Sequence, residues 1–169
     1  MDTLDWTAKW ADYTPDKIAL TSYDTNKSYT YNDLNTYANR LTSMFADHQL
    51  EEGDRIAVLA EHCLEYIVLF VACQRMGIII VPLNYRLPLL EISKLILDCT
   101  PSLLIYSSSQ QAKVNQLSQP NLKSVTFDTL KEFYQQPKDF KSKTFQIKPE
   151  NPLFIFYTSG TTGAPKGVI

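Results

Sequence analysis

The chain has 169 residues, 44% of them hydrophobic and 20% charged, and a formal net charge of −2. This is the balance of a globular protein long enough to bury roughly 70% of its unfolded surface, and it carries no electrostatic footprint for nucleic acid. The most apolar stretch, residues 64–81, contains Glu65, Gln74 and Arg75, which interrupt it too deeply for a membrane span.

The N-terminus has no basic start followed by an apolar core, so no secretory signal is read there. Residues 4–13 read as a short helix with Trp6 and Trp10 one turn apart, ended by Pro15. Residues 18–22 and 28–31 read as two strands joined by the polar turn Asp24-Thr25-Asn26-Lys27. Thr30-Tyr31-Asn32-Asp33 has the form of a helix cap with an acidic residue at its third position. Leu34, Tyr37, Ala38, Leu41 and Phe45 then recur at helical spacing and predict one buried face. Glu51-Glu52-Gly53-Asp54 is a turn.

From Arg55 the pattern becomes strand, helix, strand. Residues 56–60 are a short apolar run, and residues 61–76 have helical length, with acids in the first turn, Arg75 in the last and Gly77 as a stop. Residues 78–81 are continuously β-branched, as suits a strand buried on both faces. Pro88 begins a further helix with Leu89, Ile92, Leu95 and Ile96 on one face; Thr100-Pro101 ends it and residues 103–106 form another strand. Residues 110–117 and 128–135 are weaker helices around a strand at 124–127. Residues 137–150 form a lysine-rich connector whose lysines are expected to be solvated.

Cys63, Cys73 and Cys99 make no metal or redox spacing. An odd, sparse set suits a reducing compartment, so a cytoplasmic location is expected, with each cysteine a small core residue. His48 and His62 are isolated and read as surface or rim residues. Alternating strands and helices predict an α/β layered fold with a mainly parallel sheet and crossover helices. The expected divisions are N-terminal helices and hairpin (1–54), α/β core (55–136), connector (137–152), and a strand with a terminal loop (153–169).

That last division carries the chemistry. An apolar, strand-like run, Leu153-Phe154-Ile155-Phe156-Tyr157, opens into Thr158-Ser159-Gly160-Thr161-Thr162-Gly163-Ala164-Pro165-Lys166-Gly167. Glycines allow positive φ and close approach of the backbone to an anion, and successive N–H groups can form an anion-binding nest. Thr158, Ser159, Thr161 and Thr162 add hydroxyl donors, and Lys166 adds charge. The Walker pattern fails, because Pro165 precedes Lys166 and Gly167 follows it; the dinucleotide pattern fails for want of a third glycine and a following helix. Val168 and Ile169 predict instead that the loop joins two strands.

The segment from Thr158 to Gly167 resembles the signature loop of the adenylate-forming enzymes: acyl- and aryl-CoA ligases, luciferase and peptide-synthetase adenylation domains. The likeness extends upstream. Thr30-Tyr31-Asn32-Asp33-Leu34 with Ala38-Asn39-Arg40-Leu41 resembles the family's first core helix. Gly53-Asp54-Arg55-Ile56-Ala57 resembles its first parallel strand, and Gly77 with Val81-Pro82-Leu83-Asn84 and Arg86 resembles the next. Leu87 departs from the hydroxyl cap usual before Pro88.

The resemblance implies the N-terminal portion of the family's large domain within a longer, ATP-dependent acid–thiol ligase. A carboxylate would attack the α-phosphate of ATP, and a thiol, usually that of CoA, would then displace AMP. Thr158, Ser159, Gly160, Thr161, Thr162, Gly163, Ala164, Pro165 and Lys166 would hold the β- and γ-phosphates. Magnesium and the catalytic lysine belong to later parts of such enzymes, so no residue here is assigned as catalytic or as a metal ligand. These 169 residues alone are expected to be inactive, and surface exposed by truncation could support self-association. Thr161-Thr162 and Val81-Pro82-Leu83-Asn84-Tyr85-Arg86 look more like the acyl-CoA ligases than like the peptide-synthetase domains. The alternatives are an amino-acid adenylation domain and a non-catalytic nucleotide-binding or interaction module.

Overall fold

In the computed structural model, which describes residues 4–23, 25–136, 146–158 and 165–169, helix α1 (Trp6–Tyr13) opens the chain. Strands β1 (Ile18–Thr21) and β2 (Ser28–Thr30) form an antiparallel hairpin. Helix α2 (Tyr31–Asp47) follows without a break because Thr30 and Asp33 cap each other reciprocally. Thr30 N–H donates to Asp33 Oδ2 at 2.9 Å, and Asp33 N–H donates to Thr30 Oγ1 at 3.1 Å. The apolar face is the expected one: Leu34, Ala38, Leu41 and Phe45 are buried, and Tyr37 is half-buried against them.

Strand β3 (Arg55–Leu59) leads to helix α3 (Leu64–Met76) and strand β4 (Ile79–Pro82). The helix begins three residues later than its composition suggests, at Leu64 rather than Glu61. Glu61 and His62 are spent on the turn out of β3, and Cys63 is extended (φ −147°), so Glu65 is the acid of the first turn. Gly77 adopts φ +65° and ends α3 as a left-handed cap. Helix α4 (Leu89–Cys99) and strand β5 (Leu103–Tyr106) come next, with Thr100 left-handed between them. The weak helix expected at 110–117 is a 3-10 turn (Ser108–Gln110) plus the short α5 (Gln111–Val114). No residue of α5 is fully buried; Val114 and Leu117 only partly bury themselves against the α4 cluster, which leaves the helix short. Strand β6 (Lys123–Thr126) and helix α6 (Phe127–Gln135) complete the layer.

The central sheet has the order β4-β3-β5-β6, all parallel. Strands β3, β4 and β5 are buried on both faces, which explains their unbroken apolar runs, whereas β6 at the edge is half exposed. Ile56, Val58, Ile80, Leu103 and Ile105 face α2, α3 and α6; Ala57, Leu59, Val81, Leu104 and Tyr106 face α4. Each such aliphatic side chain contributes about 1.5–3 kcal/mol on burial. The crossovers α3 and α4 therefore lie on opposite faces, and the direction of strand addition reverses between β3 and β5. In open α/β sheets, ligands bind at the carboxyl edge near such a reversal.

Helix α1 buries no residue of its own. It is held by Asp5, whose carboxylate accepts from Ala8 N–H at 2.9 Å and pairs with Arg75 at 2.8 Å. Arg75, only 5% exposed, also donates to Asn35 Oδ1 and Asn39 Oδ1 at 2.7 Å each. A buried guanidinium is thus fully partnered, and α1, α2 and α3 meet around it.

Candidate functional site

The strand before the glycine-rich segment is seated on the sheet first. Ile80 N–H donates to Leu153 O at 2.9 Å and Ile155 N–H donates to Ile80 O at 3.0 Å, so Phe154 lies beside Ile80 in the parallel sense. Phe154 stacks on Phe70 of α3 at 5.8 Å and on Phe156 at 5.1 Å. Ile155 and Tyr157 pack on the opposite face, with the α4 cluster. The Tyr157 hydroxyl donates to Asp98 in the last turn of α4, and burial together with that bond pushes its phenol up.

Strand β7 (Phe156–Thr158) then pairs antiparallel with β8 (Lys166–Val168), as expected of a loop joining two strands. The register is Phe156 opposite Val168, Tyr157 opposite Gly167 and Thr158 opposite Lys166. Directly opposed residues of an antiparallel pair share a face. The Thr158 hydroxyl and the Lys166 ammonium therefore stand together where the ladder opens, both exposed. Among the described residues Lys166 has no ion-pair partner. A donor and a cation so placed suit the oxygens of a polyanion.

Of the residues expected to form the site, Thr158, Pro165 and Lys166 are described; Ser159, Gly160, Thr161, Thr162, Gly163 and Ala164 lie outside the described residues. Gly167 has a packing role that its sequence context did not suggest. A Cβ there would lie 3.0 Å from Ile155 Cγ2 and 3.6 Å from the Tyr157 ring.

A second feature was not singled out in the sequence. A cleft of about 310 Å³ lies at the carboxyl ends of β3 and β4, between the turn carrying Ala60, Glu61 and His62, with Tyr66 of α3, and the stretch with Asn84 and Tyr85. Lys113 fixes that stretch by donating to Tyr85 O and, at 3.2 Å, to Leu87 O. The strand–helix–strand pattern could have located this cleft, because turns after parallel strands line the carboxyl edge. His62 stands at its rim, with its ring 6.0 Å from that of Tyr66.

Among the described residues no group of three or more His, Cys, Asp or Glu could hold a metal ion. Cys73 and Cys99 are buried and Cys63 is half-buried. Burial pushes the Cys63 thiol up to about 12 and the Cys99 thiol up to about 11, the reverse of what a nucleophile needs. No helix among the described residues is long and apolar enough to cross a membrane.

A profile of the AMP-binding enzyme family matches residues 7–169. A 2-succinylbenzoate–CoA ligase of Oceanobacillus iheyensis is 32% identical over 173 residues, covering 98% of this chain and 33% of the ligase. The hybrid PKS-NRPS synthetase pydA of an Acremonium species is 33% identical over 155 residues, covering 92% of this chain and 4% of the synthetase. Among solved structures, the inhibitor-bound N-terminal domain of FACL13 from Mycobacterium tuberculosis superposes with a TM-score of 0.87 at 28% identity, over 99% of this chain and 44% of that one. The chain thus spans a third of the length of the succinylbenzoate ligase and a small part of the synthetase.

Proposed function

Because the chain belongs to the AMP-binding enzyme family, we propose that it is the phosphate-binding, N-terminal part of an ATP-dependent ligase that activates a carboxylic acid and passes the acyl group to CoA. The carboxylate oxygen attacks the α-phosphorus, the bond to the β-phosphate oxygen breaks, and pyrophosphate leaves. The thiol then attacks the acyl carbon and AMP leaves. The observation that carries this reading is the pairing of Thr158 with Lys166 on either side of the glycine- and hydroxyl-rich segment. Lys166 offsets charge on the departing pyrophosphate while Thr158, Ser159, Thr161, Thr162 and the backbone of Gly160, Gly163 and Ala164 cradle its oxygens. Such work is electrostatic and positional. Magnesium would be held by residues outside those described.

The relatives extend well beyond the stretch they share with this chain. Adenylate formation is therefore proposed for the whole protein, and the 169 residues alone are expected to bind ATP weakly. The divisions 1–54, 55–136, 137–152 and 153–169 are proposed as structural units of that larger domain. Phe156, Val168 and Ile169 are exposed, which supports the proposal that the isolated chain self-associates.

Simple or fatty carboxylic acids are the preferred substrate class, supported by the names of the CoA-ligase relatives. Amino-acid adenylation is the second reading, favoured by the likeness to the hybrid synthetase. The experiment supplies the full-length protein with ATP, magnesium and panels of fatty, aryl and amino acids, with and without CoA. Acyl-CoA formed from a non-amino acid is the expected result. Pyrophosphate release with amino acids only, and no acyl-CoA from any acid, would overturn it.

A further inference from the structure

Glu52 lies in the turn before β3 yet binds a segment 96 and 99 positions further on. Its carboxylate accepts from Lys148 Nζ at 2.7 and 3.0 Å and from Asn151 Nδ2 at 3.1 Å. Asn151 N–H donates to Lys148 O at 3.1 Å, so both donors come from one turn. Two residues later, Leu153 O accepts from Ile80 N–H and the chain joins the edge of the sheet.

The cap of α3 closes the same point. Gly53 N–H donates to Gly77 O at 2.8 Å. A Cβ on Gly77 would stand 2.8 Å from Asn151 Nδ2 and 2.9 Å from Glu52 Cγ. Only glycine leaves room for the two side chains to meet above it. A cavity of about 180 Å³ lies between the Lys148/Asn151 turn, Leu4 and the end of α3, bordered by Leu4, Gln74, Gly77, Pro149, Asn151 and Leu153.

We propose that Glu52 is a positioning residue for the candidate phosphate-binding hairpin: by clipping the Lys148/Asn151 turn it fixes where residues 153–155 join β4, and so where Thr158 and Lys166 stand. The catalytic half of this proposal rests on the phosphate-binding reading above; the mechanical half does not. A lone exposed ion pair contributes little. Here one carboxylate gathers two donors of a single turn, just before the chain makes its two backbone hydrogen bonds to Ile80 and packs Phe154 on Phe70. The effect is therefore on local opening of the edge rather than on global stability.

Amide hydrogen exchange on the full chain tests the mechanical half. Glu52→Ala and Asn151→Ala are each expected to speed exchange at Ile155 N–H about tenfold, with the double variant little faster than either. Leu83 N–H, which donates to Val58 O inside the sheet, should be unchanged. Exchange at Ile155 equal to that of the parent in both single variants overturns the proposal. In the full-length ligase, Glu52→Ala should raise KM for ATP several-fold with little change in KM for the acid. The swap Glu52→Lys with Lys148→Glu should restore both readouts, since the Asn151 amide can accept as well as donate. Faster exchange with an unaltered KM for ATP, or no recovery in the swap, overturns the positioning role. A parent enzyme without ATP-dependent ligation strikes the proposed function instead, and the exchange result still decides whether Glu52 is the clip.

Discussion

Thr158 and Lys166 stand directly opposite one another as the last described pair of the β7–β8 ladder, and neither is buried. An exposed lysine with no ion-pair partner among the described residues, at the mouth of a hydroxyl-rich connection, is placed to meet an anion. Lys166→Ala in the full-length protein is expected to lower kcat/KM for ATP about 10- to 100-fold, the range of losing one charge-assisted contact to a polyphosphate. Lys123→Ala, at the exposed start of β6, should change it by less than about twofold. Equal effects of the two would remove Lys166 from the site.

Two positive-φ glycines separate strain from crowding. Gly53 (φ +87°) has nothing within 4 Å of where a Cβ would be, whereas Gly77 (φ +65°) has Asn151 and Glu52 inside 3 Å. Gly53→Ala is expected to cost about 1 kcal/mol from backbone strain alone. Gly77→Ala should cost about 1–3 kcal/mol more, because packed neighbours must shift. Urea unfolding of both variants measures the difference, and equal costs would show that the Glu52–Asn151 contact yields freely.

Much of this architecture could be read in the residues, and the reason differs by element. The Thr30/Asp33 box and the Gly77 stop are local devices whose donors and acceptors lie within one turn, so their spacing announces them. The parallel pairing of β3 with β4 followed from apolar runs too continuous for a one-sided sheet. The start of α3 was misplaced because Glu61 is acidic, as a first helical turn prefers, but the chain is still turning away from β3 there. The Glu52 clip and the Arg75 cluster join residues distant in the chain, and no periodicity carries such information. For the site, the motif was fully visible, while the Thr158–Lys166 register and the packing role of Gly167 required coordinates.

Glu65 on α3 and Lys131 on α6 form a half-buried pair at 2.6 Å. Burial alone would raise the Glu65 carboxyl, but the Lys131 hydrogen bond and charge, with a backbone hydrogen bond, outweigh it and hold it below the usual range. The same bond holds the Lys131 ammonium above its usual range. A depressed carboxylate stabilises the fold above its unfolded value, about pH 4.3, and loses that as pH falls through the lower folded value. A raised lysine stabilises below about pH 10.4 and loses that as pH rises through the folded value. Lys131→Met should therefore cost about 1–2 kcal/mol across the interval between, with the difference shrinking at both ends. Thermal unfolding of the two proteins against pH checks this; a difference that grows toward acid would contradict it.

The cysteines should behave as packing residues. With the Cys63 thiol at about 12 and Cys99 at about 11, thiolate is scarce at pH 8. Iodoacetamide at that pH should label the native protein at least about a hundredfold more slowly than the urea-unfolded protein. Rapid labelling of Cys63 in the native state would mean that its surroundings open readily.

The central claim is that the hairpin binds the phosphates of ATP during carboxylate activation. Exchange of labelled pyrophosphate into ATP by the full-length protein, with and without a carboxylic acid, tests it most directly. The account predicts acid-dependent exchange that falls about 10- to 100-fold in Lys166→Ala and is kept in Lys123→Ala. Exchange of parental strength in Lys166→Ala, or none with any carboxylic acid across the fatty, aryl and amino-acid panels, would contradict it.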